Sequence, residues 1–369
     1  MIGARSGLLA EVAEKVRQGT GVPTCVADVE RVIAAAACSA EIWAIVDLSK
    51  RPFNLVAETA RQLEAAGLAS LDEAGMHLTD AGRQLSRDRA ISPIQQRRCP
   101  SCAGRGVNLA VFGEALSSFR ELSQGRPAAV VDYDQAYVTP ETTLARIAFM
   151  ADHGDLADKD LLILGDDDLM GLAAALTGLP RRIVVLEIDD RLVRFIRDRA
   201  THAQSPLEVL AHDLREPLPD DLAGQFHTFF TDPPETLAGL QIFIERGLSS
   251  LNGPGAAGYF GIGLVEASLY KWRVLQKYLL ERDELLAITD LIEDFNVYTR
   301  WDYLAETLPG DMAPLRMAPS YDRYRTALCR VERLAPYSDL ERRMKGENPY
   351  LDRESLIWTK IGVKNAAGT

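Results

Sequence analysis

Cysteine is scarce, positive charge is outweighed, no apolar run is long, and the glycine-rich turn of a nucleotide-binding fold is missing. Each shortage excludes a class of protein. Cys25, Cys38, Cys99, Cys102 and Cys329 are a sparse, odd-numbered set in 369 residues, which argues against a disulfide framework. Lys and Arg number 41 against 53 Asp and Glu, a formal net charge of −12. That balance argues against a nucleic-acid partner and suits a small cationic ligand. Met1 to Glu14 lacks the apolar segment of a signal peptide, and no stretch is long enough to span a bilayer. A cytoplasmic location with no membrane partner is the expectation. What is there is ordinary for a globular protein: 47% hydrophobic and 25% charged residues, enough for two or three domains.

The chain divides by pattern into four parts. Residues 1–85 read as helices followed by a hairpin. Glu41 to Val46 opens a short helix, Phe53 to Ala66 places Leu55, Val56, Ala60, Leu63 and Ala66 on one face, and two short strands flank an acidic Gly turn. Helix, helix, hairpin resembles a winged helix, in the phrase LEAAGLASLDEAGMHLTDAGRQL. Its second helix carries little positive charge beyond Arg61, so a dimerisation or lid module is expected rather than a DNA reader. Residues 86–106 form a polar, basic linker that holds Cys99-Pro100-Ser101-Cys102. This CxxC is half of a tetrahedral zinc site. A dimer would complete it; otherwise the pair are free or redox-active thiols. No resident metal is assigned, and a homodimer is the expected assembly. Residues 107–337 are expected to form one large domain, and 338–369 a polar tail.

The 107–337 part alternates strand and helix signals, and it is the expected Rossmann-like domain. Leu161-Leu162-Ile163-Leu164 reads as a buried parallel strand and Leu169 to Thr177 as the helix after it. Further strands are expected at Ile183 to Leu186, Leu207 to Leu210, Phe226 to Thr231 and Ala256 to Ile262. The fold class is therefore α/β, a Rossmann-like doubly wound sheet behind an N-terminal winged-helix-like domain. Between the first strand and its helix stands Gly165-Asp166-Asp167-Asp168. A strand, tight turn and helix N-terminus normally cradle phosphate. Three carboxylates there would repel a pyrophosphate, whereas a sulfonium or an amine would neutralise them. Glu187, Asp213 and Asp232 also fall at carboxyl ends of strands, where such sheets bind ligands. Glu187 has the spacing of an acid on ribose hydroxyls, with Asp189 equally able to cap the next helix. Asp213 is a candidate for an adenine amino group.

The order GDDD, then DPPET at Asp232 to Thr236, after a winged helix and a CPxC linker, resembles the branched-chain polyamine synthases. These belong to the Rossmann-like methyltransferase and spermidine synthase superfamily. The resemblance covers nearly the whole chain. It implies an aminopropyltransferase that uses decarboxylated S-adenosylmethionine and spermidine, makes N(4)-bis(aminopropyl)spermidine, and needs no cofactor. Aligning the first turn with that of spermidine synthases puts Asp168 on the donor amine, with Asp166 and Asp167 in place of glycines. The resemblance points both to an Asp of GDDD and to Asp232 as catalytic, and the choice stays open. The residues agree with this chemistry. An amine of pKa near ~10 must lose a proton before it attacks, and a carboxylate within reach can take it.

Weaker candidates complete the site. Gly165, Glu187, Asp213, Gln135 and Asp189 are assigned to the donor, and Tyr133, Asp134, Glu235 and Glu266 to the polyamine. The acids and aromatics of Asp290 to Tyr298 read mostly as a solvated helix face. Two rivals remain. DPP resembles the motif of amino-group methyltransferases, but Glu235 replaces the aromatic that would stack on a base. A winged-helix polyamine sensor would need a basic recognition helix, which the sequence does not supply.

Overall fold

The structure is a computed structural model, and it describes residues 2–94, 99, 101–282, 285–299, 322 and 324–335. The expected tail, 338–369, lies outside the described residues.

The N-terminal part packs five helices and a hairpin. They are α1 (Ile2–Thr20), α2 (Val26–Ala36), α3 (Ile42–Ser49), α4 (Phe53–Ala65), β1 (Ala69–Asp72), β2 (Gly75–Leu78) and α5 (Asp80–Asp88). β1 and β2 pair antiparallel, Ala69 opposite Leu78 and Asp72 opposite Gly75. The Thr79 hydroxyl caps α5 by accepting from the Gly82 N–H at 3.1 Å. Apolar residues from Leu9 to Leu85 close into one core, with Val265 of the following α/β part packed against it.

After α6 (Gly113–Leu122) and α7 (Pro140–Asp152) the chain enters the main sheet: β3 (Asp160–Leu164), α8 (Met170–Thr177), β4 (Arg182–Glu187), α9 (Asp190–Arg199) and β5 (Leu207–Ala211). It then continues through β6 (Thr228–Thr231), α10 (Leu237–Ser250), β7 (Ala257–Gly263), α11 (Leu269–Leu280), β8 (Leu286–Val297) and β9 (Arg325–Arg333). The sheet order is β5-β4-β3-β6-β7-β9-β8, parallel from β5 to β7 and antiparallel at β9 and β8. Period-2 alternation explains the layers. Leu161, Ile163, Ile183 and Val185 face the α6–α9 side, while Leu162, Leu164, Val184 and Leu186 face α10 and α11. The chain leaves β3 in one direction for β4 and β5, and returns to its other edge as β6, so the switch point lies at β3 and β6.

Three expectations are corrected. Asp290 to Tyr298 is not a helix face: β8 covers most of it, in register with β9. Its acids fall at less buried positions, and two register shifts break the alternation that marks a strand. The strand expected from Phe226 begins at Thr228, with Phe226 in an isolated bridge to Leu251. The helix expected from Leu169 begins at Met170, because Leu169 turns left-handed at φ 56°. No described helix is long and apolar enough to cross a membrane.

Candidate active site

Acids cluster because every parallel strand delivers one at the same edge. The GDDD turn follows β3, Glu187 ends β4, Asp213 follows β5, Asp232 follows β6 and Glu266 follows β7. Together they border a cleft of about 660 Å³. Its wall includes Asp134, Asp167, Glu187, Asp213, Asp232, Glu235 and Glu266, with Tyr133, Gln135 and Gly165. Lys271 and Arg215 are there too, but both are engaged. Arg215 makes a bidentate pair with Asp213, and Lys271 Nζ donates to the backbone carbonyls of Glu235 and Glu266. The cleft keeps an excess of negative charge.

The three consecutive aspartates separate into three roles. Asp166 is buried, and its carboxylate accepts from the Gly171 N–H at 3.1 and 3.3 Å, which caps α8. Asp168 is buried as well. Its Oδ1 accepts from the Val138 N–H at 2.7 Å, and its Oδ2 lies 2.5 Å from Arg146 Nη1. Neither borders the cleft. Asp167 does, and its Oδ2 accepts only from the Ala136 N–H at 3.2 Å. No cation lies within ion-pair distance of it among the described residues. Desolvation holds its carboxyl well above the usual range, reinforced by Asp168, Glu187 and Asp232.

Asp232 meets the same arginine from the next strand. Its Oδ2 accepts from Arg146 Nη2 at 2.5 Å and from the Tyr298 hydroxyl at 2.6 Å, which leaves Oδ1 uncommitted by either. Gly261 and Gly263 on β7 make room for these carboxylates. A Cβ at Gly261 would stand 2.1 Å from Asp232 Oδ1, and one at Gly263 would stand 2.6 Å from Glu235 Oε1. Glu235 Oε1 takes the Gly263 N–H at 2.5 Å, and its Oε2 lies 3.3 Å from the Tyr324 hydroxyl. The same hydroxyl is 3.5 Å from Glu266. Burial first, then the charge of Glu266, pushes Glu235 up to about 8.

At the other end of the cleft, Glu187 accepts the backbone N–H groups of Asp166 at 2.7 Å and Asp189 at 2.8 Å, tying the β3 and β4 turns together. Asp189 itself caps α9 through the Arg191 N–H and pairs with the Arg191 guanidinium, which holds it down at about 2. It does not border the cleft. Gln135 reaches from the segment before α7, donating to Asp189 at 3.2 Å and accepting from the Val130 N–H at 3.0 Å. His212 precedes Asp213 and donates its backbone N–H to the Glu187 carbonyl at 3.0 Å, and its Nε2 is buried with no hydrogen-bond partner among the described residues. Cys99 and Cys102 stand apart from the cleft. Cys99 is exposed and, through its bond to Ser101, lowered to about 7. No group of three metal-ligating side chains occurs among the described residues.

Sequence reasoning overlooked Arg146, Tyr324 and His212, and it read Tyr298 within a segment taken mostly for a solvated helix face. Arg146 carried a usable signal: it is a cation inside the apolar stretch Thr142 to Met150 of α7, on positions that are otherwise buried core. It is fully buried, with Nε donating to Asn296 at 2.8 Å and its guanidinium 4.8 Å from the Phe230 ring centre.

Comparison with known proteins gives a consistent result. A sequence model described as the branched-chain polyamine synthase A C-terminal domain matches residues 114–357. The N(4)-bis(aminopropyl)spermidine synthase of Thermococcus kodakarensis is 40% identical over 94% of this chain and 99% of that one. The enzyme of the same name from Thermus thermophilus is 44% identical over 92% and 96%. The crystal structure of the branched-chain polyamine synthase from Thermus thermophilus, in complex with N4-aminopropylspermidine and 5'-methylthioadenosine, superposes with a TM-score of 0.81. It covers 90% of this chain and 94% of that chain at 43% identity. With high identity along nearly its whole length, this chain belongs to the branched-chain polyamine synthase family.

Proposed function

We propose that this protein transfers the aminopropyl group of decarboxylated S-adenosylmethionine to the secondary amine of spermidine. Repeated transfer gives N(4)-bis(aminopropyl)spermidine, with methylthioadenosine released each time. The donor is a co-substrate, and no cofactor is needed. The observation that carries the residue roles is the pairing pattern: Asp166 and Asp168 are committed to a helix cap and to Arg146, while the Asp167 carboxylate faces the cleft in no ion pair among the described residues, the nearby Arg126 donating to its backbone carbonyl instead.

In this reading Asp167 accepts the proton of the attacking amine. The nitrogen lone pair forms a bond to the methylene beside the sulfonium, the C–S bond breaks, and its electron pair leaves on methylthioadenosine. A carboxyl with a raised pKa is a better proton acceptor near neutral pH than an ordinary aspartate. Asp232, fixed by Arg146 and Tyr298, keeps Oδ1 for a cationic group of either substrate. Glu187, His212 and Asp213, which line one stretch of the cleft wall, take the nucleoside end. Asp134, Glu235 and Glu266 take the primary ammonium groups of the acceptor, with Tyr133 as an exposed wall. Alignment of two cations in one acidic cleft supplies much of the rate. A donor that kept its carboxylate would meet a wall of like charge, which disfavours methyl transfer from S-adenosylmethionine.

The test is to incubate the protein with decarboxylated S-adenosylmethionine and spermidine, and to identify products by chromatography and mass. A branched tetra- or penta-amine with methylthioadenosine is expected. A linear product would sink the branched assignment, and methylation from S-adenosylmethionine would sink aminopropyl transfer.

A further inference from the structure

We infer that the N-terminal helical domain tunes acceptor binding by holding the loop that carries Glu266. That loop, residues 264–268 between β7 and α11, is gripped from two sides. From the N-terminal domain, Phe53 at the start of α4 donates its backbone N–H to the Val265 carbonyl at 2.9 Å. This donor has no partner inside its own helix, so the loop satisfies it. The Val265 side chain packs into the core formed by residues Leu9 to Leu85. A second attachment fixes the domain against the sheet. Lys50, just past α3, bridges Asp294 of β8 at 2.5 Å and Asp47 at 3.0 Å, all three side chains largely shielded from solvent.

From the catalytic side, Lys271 Nζ holds the Glu266 carbonyl at 2.8 Å and the Glu235 carbonyl at 2.7 Å. The Tyr324 hydroxyl lies between the two carboxyl groups. Val265 and Glu266 are adjacent, so one points its side chain into the N-terminal domain while the other borders the cleft. A surface loop free at one end would let Glu266 wander. Placement errors near 1 Å weaken a positioned contact severely. Val265 is therefore a positioning residue, acting through Glu266.

This rests on the reading that Glu266 meets an acceptor ammonium, and the experiment separates the two. Val265→Gly, Glu266→Gln and the double variant of the full chain are assayed for the KM of spermidine, the KM of decarboxylated S-adenosylmethionine, and kcat. Val265→Gly is expected to raise the acceptor KM by roughly tenfold and to change the donor KM by less than about twofold. The double variant should be no worse than Glu266→Gln alone, since the loop then positions nothing. Full additivity of the two changes, or equal increases in both KM values, would overturn the positioning role. An unchanged acceptor KM in Glu266→Gln would instead remove the Glu266 reading, and the inference with it. Should Val265→Gly fold poorly, Val265→Ala gives the same split on a smaller scale.

Discussion

Arg146 Nη2, carried by α7, sits 2.5 Å from Asp232 Oδ2. The other terminal nitrogen of the same guanidinium sits 2.5 Å from Asp168. One buried cation therefore joins the turn after β3 to the turn after β6, across the switch point of the sheet. It neutralises two acids that would otherwise repel each other in a site of low polarity. The other carboxyl groups of the cleft, Asp167 and Glu235 among them, take no share of this guanidinium.

Arg146→Met should be severe in both stability and turnover. Removing one partner of a buried pair leaves uncompensated charge, at a cost of about 3–5 kcal/mol. Denaturant unfolding should show that loss. Arg146→Lys keeps a charge but loses the fork, so it should fold better and still turn over slowly. Wild-type kcat in Arg146→Lys would show that the fork geometry is unimportant.

Asp167 and Asp166 should separate by assay. Asp167→Asn is expected to lower kcat by about 10²–10⁴-fold, the usual range for a lost general base, with little change in unfolding midpoint. Asp166→Ala should instead remove the α8 cap and cost about 0.5–2 kcal/mol of stability. Near-normal turnover in Asp167→Asn would remove it as the proton acceptor.

Glu235 predicts a pH signature. Its folded pKa, about 8, lies above the unfolded value of 4.5. Between those limits the unfolded chain has lost a proton that the native state retains. The stabilising contribution is thus whole below pH 4.5 and is lost as pH rises through 8. Glu235→Gln, neutral throughout, should gain stability relative to the parent between pH 5 and pH 8. Parallel pH–stability curves for the two proteins would contradict the raised pKa.

Ammonium binding beside Glu235 favours its ionised form, so spermidine should expel protons on binding below pH 8. Calorimetry in buffers of different ionisation enthalpy reads this directly. The release should shrink in Glu235→Gln.

His212→Ala should raise the donor KM by about 3- to 10-fold, the worth of one ordinary hydrogen bond, and leave the acceptor KM in place. Equal KM values for parent and variant would mean that the unpaired Nε2 serves no ligand.

The sequence by itself determined the run of the sheet and the chemical character of the cleft. Buried apolar strands such as Leu161 to Leu164 are legible because an unbroken apolar run and its length are local properties. Acids at successive strand ends are legible because parallel topology sends every such end to one edge. The antiparallel pair β8 and β9 was not, since its bulges and its long-range register leave no clean period. Which acids are free was decided only in three dimensions. Asp166, Asp167 and Asp168 look equivalent in sequence, yet successive residues of a turn point in different directions. A cap, an open cleft and Arg146 therefore received one each. Ion pairing falls off over a few ångströms, and the chain order between α7 and the strand ends carries no such distance.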